Sequence, residues 1–202
     1  MSLTFAIPKG RLGDKSLEIL KSVGVENNID ESRKLIFECN GNKFFLAKPT
    51  DVPTYVEKGV ADIGMVGKDT ILEANSDVFE ILDLKIGKCY MAVAGNKDIS
   101  NMDFIKVSTK YPNIAKDYFN KTNRKVEIVK LNGSVELGCI VGLSDVIVDI
   151  VESGKTLQEN NLHVMEKVCD ISARIIVNKA SLNVKHDEIM SLINKIKDVI
   201  KW

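Results

Sequence analysis

The stretch SDVIVDIVESGKTLQEN (144–160) joins an apolar run to a small polar turn and then to a helix-like segment. Valine and isoleucine dominate residues 146–151, and this composition is typical of a buried strand. After the turn, Thr156 and Glu159 have the spacing of a capping box, which predicts a short helix from residue 157. A strand followed by a turn and a helix is the repeating unit of an α/β fold.

The same alternation of strand-like and helix-like segments continues over the rest of the chain, and it predicts an α/β protein with parallel strands joined by helices. Asp51 is the predicted N-cap of the helix VPTYVEK, and Gly59 is its predicted end. Ser134 is predicted to begin a short helix, and a hairpin is predicted around residues 40–42. The predicted strands cover residues 3–8, 33–39, 42–48, 60–67, 79–86, 89–95, 104–109, 126–131, 145–151 and 172–178.

Composition narrows the class of protein. The chain has 202 residues with 28 Lys or Arg and 28 Asp or Glu, so its formal net charge is zero. This balance argues against nucleic-acid or membrane-surface binding through broad positive potential. Four widely spaced cysteines favour reduced thiols in a cytoplasmic protein over a disulfide or zinc framework. The two histidines exclude a multi-histidine metal site, and we expect neither a signal peptide nor a membrane span.

The turn after the strand of residues 146–151 predicts an anion site. Gly154 and the free N–H groups at the start of the predicted helix suit a phosphate, and Asp149 and Glu152 just upstream can accept hydrogen bonds from a diol. A phosphate beside a diol describes a ribose 5-phosphate. The letters GKT also end a Walker A loop, but Asp149 stands where that motif needs glycine. On these residues alone, a surface turn after a buried strand is the alternative.

Four stretches together carry a resemblance to a known family; they are IPKGRL (7–12), KPTDVPTYVEKGVADIGMVGKD (48–69), STKYPNIAKDYF (108–119) and LNGSVELGCIVGLSDVIVDIVESGKTLQENNL (131–162). In this order they resemble the ATP phosphoribosyltransferase family, in its short form without a C-terminal regulatory domain. The resemblance implies two α/β lobes like those of type II periplasmic binding proteins, with the active site in the interlobe cleft. The expected lobes are residues 1–89 with 179–202, and residues 90–178, which carry the phosphoribosyl pyrophosphate loop.

The resemblance also implies an activity and partners. Family members condense ATP with phosphoribosyl pyrophosphate, using Mg²⁺, to give N1-(5-phospho-β-D-ribosyl)-ATP and pyrophosphate in the first step of histidine biosynthesis. A histidyl-tRNA-synthetase-like regulatory subunit in a hetero-oligomer and self-association as a dimer are expected, with no nucleic acid and no membrane as partner. Because adenine N1 carries a free lone pair, the reaction needs no general base, which agrees with the scarcity of histidine.

The resemblance assigns the site residues. Lys9, Arg11 and Asp149 are the expected catalytic residues, the two cations contacting phosphate groups and the acid facing the ribose. Lys48 stands before Pro49 where the family usually has Arg, so its charge is kept and its bidentate fork is lost. The expected substrate-binding residues are Arg33, Lys48, Glu136, Glu152, Ser153, Gly154, Lys155 and Thr156.

Several residues keep two interpretations. Lys68 and Asp69 either touch substrate or cap a helix, and Thr109, Lys110 and Tyr111 either line the site or support it. His163 and His186 are left unassigned. Two other classes of protein are weighed: a solute-binding or effector-sensing protein of the same architecture, and a salvage phosphoribosyltransferase. The first predicts an export signal or a DNA-binding segment, and the second lacks the KGRL and DVPTYVEKGVADIG stretches found here.

Overall fold

The computed structural model describes residues 2–27 and 34–200. The chain divides into two compact units, Met1–Gly87 with Ser172–Trp202 and Lys88–Ile171. Each unit is an α/β layer structure with its own sheet and its own core. Within the described residues, no helix is long and apolar enough to cross a membrane.

The sheet of the first unit has the strand order β2-β3-β1-β4-β11-β5. β1 is parallel to β3 and β4, whereas β2 and β11 run antiparallel to their neighbours. The strands are β1 (Thr4–Pro8), β2 (Ile36–Cys39), β3 (Asn42–Ala47), β4 (Ile63–Gly67), β5 (Phe79–Asp83) and β11 (Ala173–Val177). The helices of this unit are α1 (Arg11–Ser22), α2 (Val52–Glu57), α3 (Lys68–Ala74), α7 (Lys179–Val184) and α8 (His186–Val199), with a 3-10 turn at Pro49–Asp51.

The core of the first unit lies on both faces of this sheet. On one face, Phe5 and Phe44 stack with ring centroids 5.1 Å apart, and the apolar side of α8 packs over them. On the other face, Val52 and Val56 of α2 pack against β4 so closely that a side chain at Gly64 would clash with both. The parallel strands β3, β1 and β4 therefore end at one edge of a sheet that is covered on both sides.

The sheet of the second unit has the order β10-β6-β9-β7-β8. β7 is parallel to β8 and β9, whereas β6 runs antiparallel to β9 and β10. Its strands are β6 (Cys89–Gly95), β7 (Ile105–Thr109), β8 (Val126–Lys130), β9 (Val146–Val151) and β10 (His163–Ile171). Its helices are α4 (Pro112–Lys121), α5 (Leu137–Ile140) and α6 (Lys155–Glu159).

The structure differs from the sequence-based expectation at the second unit boundary. The expected lobe boundary followed residue 178, but the chain returns to the first unit at Ser172. The reason is that β11 hydrogen bonds with β4 and β5 of the first sheet. The longest strand, β10, was not predicted, because its polar and apolar residues do not alternate strictly and register shifts interrupt its pairing with β6.

The predicted start at Asp51 is confirmed, because Asp51 is the N-cap residue of α2, although its side chain makes no capping hydrogen bond. Two other predicted helix starts differ. Thr156 does not cap a helix, and α6 instead begins at Lys155 after Gly154, whose φ is 73°. Ser134 adopts a left-handed φ of 46°, so α5 begins only at Leu137. The predicted hairpin around residues 40–42 and the helix end at Gly59 (φ 71°) are confirmed.

Candidate active site

A cavity of about 250 Å³ in the second unit gathers most of the expected substrate-binding residues. It opens where β9 ends, and β6 supplies part of its wall with the small side chains of Ala92 and Ala94. Its apolar floor is a cluster that includes Ile147 and Leu157. The polar residues that line it are Glu136, Asp149, Glu152, Ser153, Gly154, Lys155 and Thr156.

The carboxylate of Asp149 lines the pocket and is half-buried there. Asp149 lies on β9 opposite Ala92, so no large side chain on β6 covers its carboxylate. Burial raises the pKa of Asp149 above its ordinary value, and the nearby carboxylate of Glu136 raises it further. The N–H of Ile150, which donates to Asp149 Oδ1 at 2.8 Å, and the charge of Lys110 both lower the pKa of Asp149, but they do not cancel the rise. Asp149 therefore has acceptor capacity for hydroxyl donors or for positive charge.

The turn of residues 152–156 offers backbone donors at the pocket rim. Gly154 adopts φ 73°, which glycine reaches without strain. The N–H of Lys155 donates to Ser153 Oγ at 3.4 Å, and within the described residues the N–H groups of Thr156 and Leu157 have no hydrogen-bond acceptor. Free N–H groups beside hydroxyl side chains and an exposed lysine form a surface that suits a phosphate group.

Glu136 reaches the same pocket from the segment before α5. The preceding residue, Val135, is buried in the apolar floor, which fixes the backbone at this point. Glu136 makes no capping hydrogen bond to α5. Two carboxylates, Glu136 and Asp149, thus line one cavity, and the charge of Glu136 raises the pKa of Asp149, an arrangement that suits a polyhydroxyl or positively charged group between them.

The end of β7 supports this pocket. Thr109 Oγ1 donates to the carbonyl oxygen of Val148 at 2.6 Å and accepts from the N–H of Tyr111 at 2.8 Å. Its buried hydroxyl is therefore structural. Lys110 is exposed, and its charge acts on Asp149. Of the three residues at this strand end, Lys110 is the one available to a substrate.

Lys9, Arg11 and Lys48 belong to the first unit, at the carboxyl edge of its parallel strands. Lys9 follows β1 and donates its N–H to the carbonyl oxygen of Ala47 at 2.9 Å, next to Lys48. Gly10, at φ 93°, turns the chain into α1, which begins at Arg11. All three cations are exposed. The carboxyl edge of parallel strands is where ligands of α/β sheets bind.

Lys68 has a structural role. Its Nζ contacts Glu80, which also faces Arg174 at 3.4 Å, and Arg174 faces Asp83 at 3.3 Å. This network lies where β4, β11 and β5 pair. Asp69 packs over Gly67, where any side chain would meet its carboxylate. The N-cap residue of α3 is Gly67 and no side chain caps it, so the capping interpretation of Lys68 and Asp69 is wrong. Asp69 instead places an acid in the first turn of α3.

Three residues named in the sequence analysis remain: Arg33, an expected substrate-binding residue, and the unassigned His163 and His186. Arg33 lies outside the described residues. His163 begins β10, and His186 begins α8 with Nδ1 at 3.1 Å from Asp187. The sequence reasoning missed the contribution of β6 and the influence of Lys110 on Asp149. The alternation of small residues in MAVAG (91–95) was the signal for the first, because a wall of alanines leaves space beside a neighbouring strand.

Comparison with known proteins identifies the family. The family model described as ATP phosphoribosyltransferase matches residues 48–198. An ATP phosphoribosyltransferase of Lachnoclostridium phytofermentans is 54% identical over 98% of this chain and 97% of its own length. A chain of the ATP phosphoribosyl transferase (HisG:HisZ) complex from Thermotoga maritima is 36% identical, with a TM-score of 0.87 and 98% of each chain covered.

A more distant likeness concerns the fold alone. The substrate-binding protein of an amino acid ABC transporter matches with a TM-score of 0.56 at 14% identity, covering 100% of this chain and 92% of that protein. The α/β architecture like that of periplasmic binding proteins is thereby confirmed. With most of its length matched by the family model and by relatives at high identity, this chain belongs to the ATP phosphoribosyltransferase family.

Proposed function

We propose that the pocket of the second unit holds the phosphoribosyl group of phosphoribosyl pyrophosphate while adenine N1 of ATP attacks its C1′ carbon. This is the reaction of an ATP phosphoribosyltransferase, the family to which the chain belongs. The observation that carries the assignment is one cavity that combines the carboxylates of Glu136 and Asp149 with the turn of residues 153–156. The turn takes the 5-phosphate, and the carboxylates take the ribose hydroxyls.

The chemistry follows from these residues. The bond from N1 to C1′ forms with the lone pair of N1, and the bond from C1′ to the pyrophosphate oxygen breaks with its electron pair leaving on pyrophosphate. Positive charge grows on the ribose, and Asp149, which makes no ion pair within the described part of the chain, would stabilise it. Lys9 and Arg11 are proposed to bind phosphate oxygens of ATP or of the leaving pyrophosphate, with Lys48 as a further point charge.

The residues present fit a metal that arrives with its substrate. Within the described residues, no group of three His, Cys, Asp or Glu is placed to hold an ion. Mg²⁺ typically keeps one or two protein carboxylates and several phosphate oxygens, and Glu152, exposed at the pocket rim, would supply the protein ligand. When bound, Mg²⁺ neutralises charge on the departing pyrophosphate.

We propose that the chain works in a hetero-oligomer with a histidyl-tRNA-synthetase-like regulatory subunit; its similarity to a chain of the HisG:HisZ complex supports the hetero-oligomer. The product enters histidine biosynthesis at its first step. We propose in addition that the chain self-associates as a dimer. We also propose that it acts in the cytoplasm, since its four cysteines are free thiols.

The direct test is an assay of phosphoribosyl-ATP formation with ATP, phosphoribosyl pyrophosphate and Mg²⁺. Inorganic pyrophosphatase removes the second product and pulls the reaction forward. Runs with and without the regulatory subunit measure how far catalysis depends on it. Product in either run supports the proposal, whereas a folded chain that forms none in both would overturn it.

The role of the turn is tested separately with Gly154→Ala. A left-handed φ costs an L residue about 1–2 kcal/mol, so the turn is expected to distort and the KM for phosphoribosyl pyrophosphate to rise by about tenfold. Gly59→Ala is the matched control, because Gly59 has a φ of 71° against 73° for Gly154 and its added Cβ also meets only ordinary contacts. Equal KM values in the two variants would remove the turn from the site.

A further inference from the structure

The inner side of α5 lies against the side chain of Ser108 on β7, with only a glycine on the helix side of the contact. A Cβ at Gly138 would stand 2.3 Å from Ser108 Oγ, 2.6 Å from Ser108 Cβ and 2.9 Å from Ser144 Oγ. Atoms at such distances repel strongly, since carbon contacts are optimal near 3.5–4.0 Å. Gly138 is therefore the residue that lets α5 approach the sheet this closely.

Ser108 is fixed on its side of this contact. It is fully buried on β7, opposite Ile147 of β9, and the neighbouring Thr109 ties the two strands by its hydrogen bond to Val148. Within the described residues, Ser108 Oγ has no hydrogen-bond partner. A buried hydroxyl without a partner is unfavourable by about 1–3 kcal/mol, so hydrogen bonding does not account for a serine here, and its observed contact is with Gly138.

The backbone around Gly138 carries Glu136 into the pocket. The carbonyl oxygen of Gly138 accepts the N–H groups of Leu143 at 2.8 Å and Ser144 at 3.0 Å, which closes the turn from α5 into β9. On the other side of Glu136, Val135 is buried in the apolar floor of the pocket. The backbone is thus held on both sides of Glu136, by Val135 in the pocket floor and by the contact of Gly138 with Ser108.

The outer side of α5 and the turn after it expose large apolar side chains. In α5 these are Leu137, exposed by 53%, and Ile140, exposed by 50%; in the turn they are Val141, exposed by 69%, and Leu143, exposed by 44%. With only four residues in α5, little helix stability comes from its own hydrogen bonds. The depth at which α5 lies is consequently set by its inner contacts, those of Gly138 with Ser108 and Ser144 and the packing of Cys139 against the pocket floor.

We propose that Gly138 and Ser108 are positioning residues for the phosphoribosyl pocket, because their contact sets the depth of α5 and so places the carboxylate of Glu136 opposite Asp149. The inference rests on the proposed function of this pocket. A methyl group at position 138 would push α5 outward by about 1 Å to reach ordinary contact distance. A shift of that size at a substrate-positioning group can cost about a hundredfold in catalysis.

The test compares substrate kinetics of three variants in the holoenzyme with its regulatory subunit. Gly138→Ala is expected to raise the KM for phosphoribosyl pyrophosphate by about ten- to a hundredfold while the KM for ATP changes little. The double variant Ser108→Gly with Gly138→Ala removes both of the nearest atoms and should restore most of the lost affinity. Gly133→Ala is the control, because it adds the same methyl group to the same segment with nothing within 4 Å.

Rescue by the double variant separates positioning from a general loss of stability. Unchanged kinetics in Gly138→Ala, or a double variant as impaired as the single one, would overturn the proposal. If Gly138→Ala does not fold, Ser108→Thr enlarges the same contact from the strand, and an unchanged KM for phosphoribosyl pyrophosphate there overturns it equally.

Glu136→Gln distinguishes this inference from the proposed function. If Glu136→Gln impairs use of phosphoribosyl pyrophosphate and Gly138→Ala does not, the pocket assignment stands and the positioning role is wrong. If Glu136→Gln leaves the kinetics unchanged in an active enzyme, Glu136 is no ribose contact, and the positioning role fails together with that part of the site.

Discussion

Asp62 in the first unit and Asp149 in the second are both carboxylates withdrawn from water, and they differ in their partners. Asp62 Oδ2 accepts the N–H of Thr4 at 2.8 Å and faces Lys185 Nζ at 2.7 Å. Burial opposes its ionisation, but the hydrogen bonds from Lys185, Ser181 and Thr4 outweigh burial and hold the pKa of Asp62 below its ordinary value. This acid fastens β1 to the start of α8.

The surroundings of Asp149 shift its pKa in the opposite direction, above its ordinary value. Burial raises its pKa, and within the described residues its one hydrogen bond comes from the N–H of the next residue, Ile150. A second carboxylate, Glu136, adds to the unfavourable charge instead of relieving it. The comparison teaches that the partners of Asp62 make it a structural acid, whereas the perturbed pKa and few partners of the half-buried Asp149 are typical of a functional site.

The largest effect is expected for Asp149→Asn. If Asp149 has the proposed role, removing its charge is expected to lower kcat/KM by about 100- to 1,000-fold without unfolding the protein. The measurement is steady-state phosphoribosyl-ATP formation together with thermal melting. Asp170→Asn serves as the control, because Asp170 is an exposed acid of the same unit in a surface pair with Lys167. Wild-type kinetics in Asp149→Asn would remove Asp149 from the site.

Asp62→Ala should act on stability instead. It leaves the N–H of Thr4 and the partly buried Lys185 without their acceptor, so the free energy of unfolding should fall by about 3 kcal/mol. Urea denaturation measures the change. Asp77→Ala breaks an exposed pair with Lys179 and is expected to cost less than about 1 kcal/mol. Equal losses in the two variants would show that Asp62 stabilises the fold no more than an exposed ion pair does.

The pH dependence of stability should differ in sign between the two acids. Because the folded-state pKa of Asp62 is lowered, its contribution is present above its ordinary pKa and is lost as pH falls through the folded value. Because that of Asp149 is raised, its ionisation destabilises the fold as pH rises from its ordinary pKa through the folded value. At neutral pH, Asp149→Asn should therefore melt higher than wild type and Asp62→Asn lower.

Both differences should shrink on acidification, because the carboxyl groups of Asp62 and Asp149 in the wild type then become neutral, as the amides of the two variants are at every pH. Thermal melting over a series from about pH 3 to pH 8 tests this. A melting temperature of Asp149→Asn below that of wild type at neutral pH would show that Asp149 is satisfied within the fold.

The smallest effect is expected for a substitution at Lys48, which is not one of the two acids compared above. Lys48→Arg restores a bidentate fork and should lower the KM of a phosphate-bearing substrate by about two- to fivefold. The KM values for ATP and phosphoribosyl pyrophosphate, measured separately, show which substrate it contacts. Lys43→Arg, on β3 of the same sheet and paired with Glu38, is the control. If neither KM changes, Lys48 contacts no substrate phosphate.

Local sequence patterns predicted much of this molecule. The apolar run of residues 146–151, the glycine at 154 and the family stretches indicated an α/β fold, the polar turn and Asp149, because these features depend on residues close together in the chain. The strand β10 escaped prediction, since its polar and apolar residues do not alternate strictly. The strand β11 was predicted, but its place in the first sheet was not, because its pairing with β4 joins segments that are distant in sequence.

The sequence by itself determined the family, most of the strands and helices in their order, and the identity of the residues at the polar turn. Only the tertiary structure decided that Asp62 pairs with Lys185 while Asp149 makes no ion pair among the described residues, and that Gly138 lies against Ser108. The physical reason is that hydrogen-bond satisfaction, desolvation and close contact are set by which distant segments meet. The sequence specifies which residues carry a carboxylate, but the pKa of each carboxylate is set by its neighbours in space.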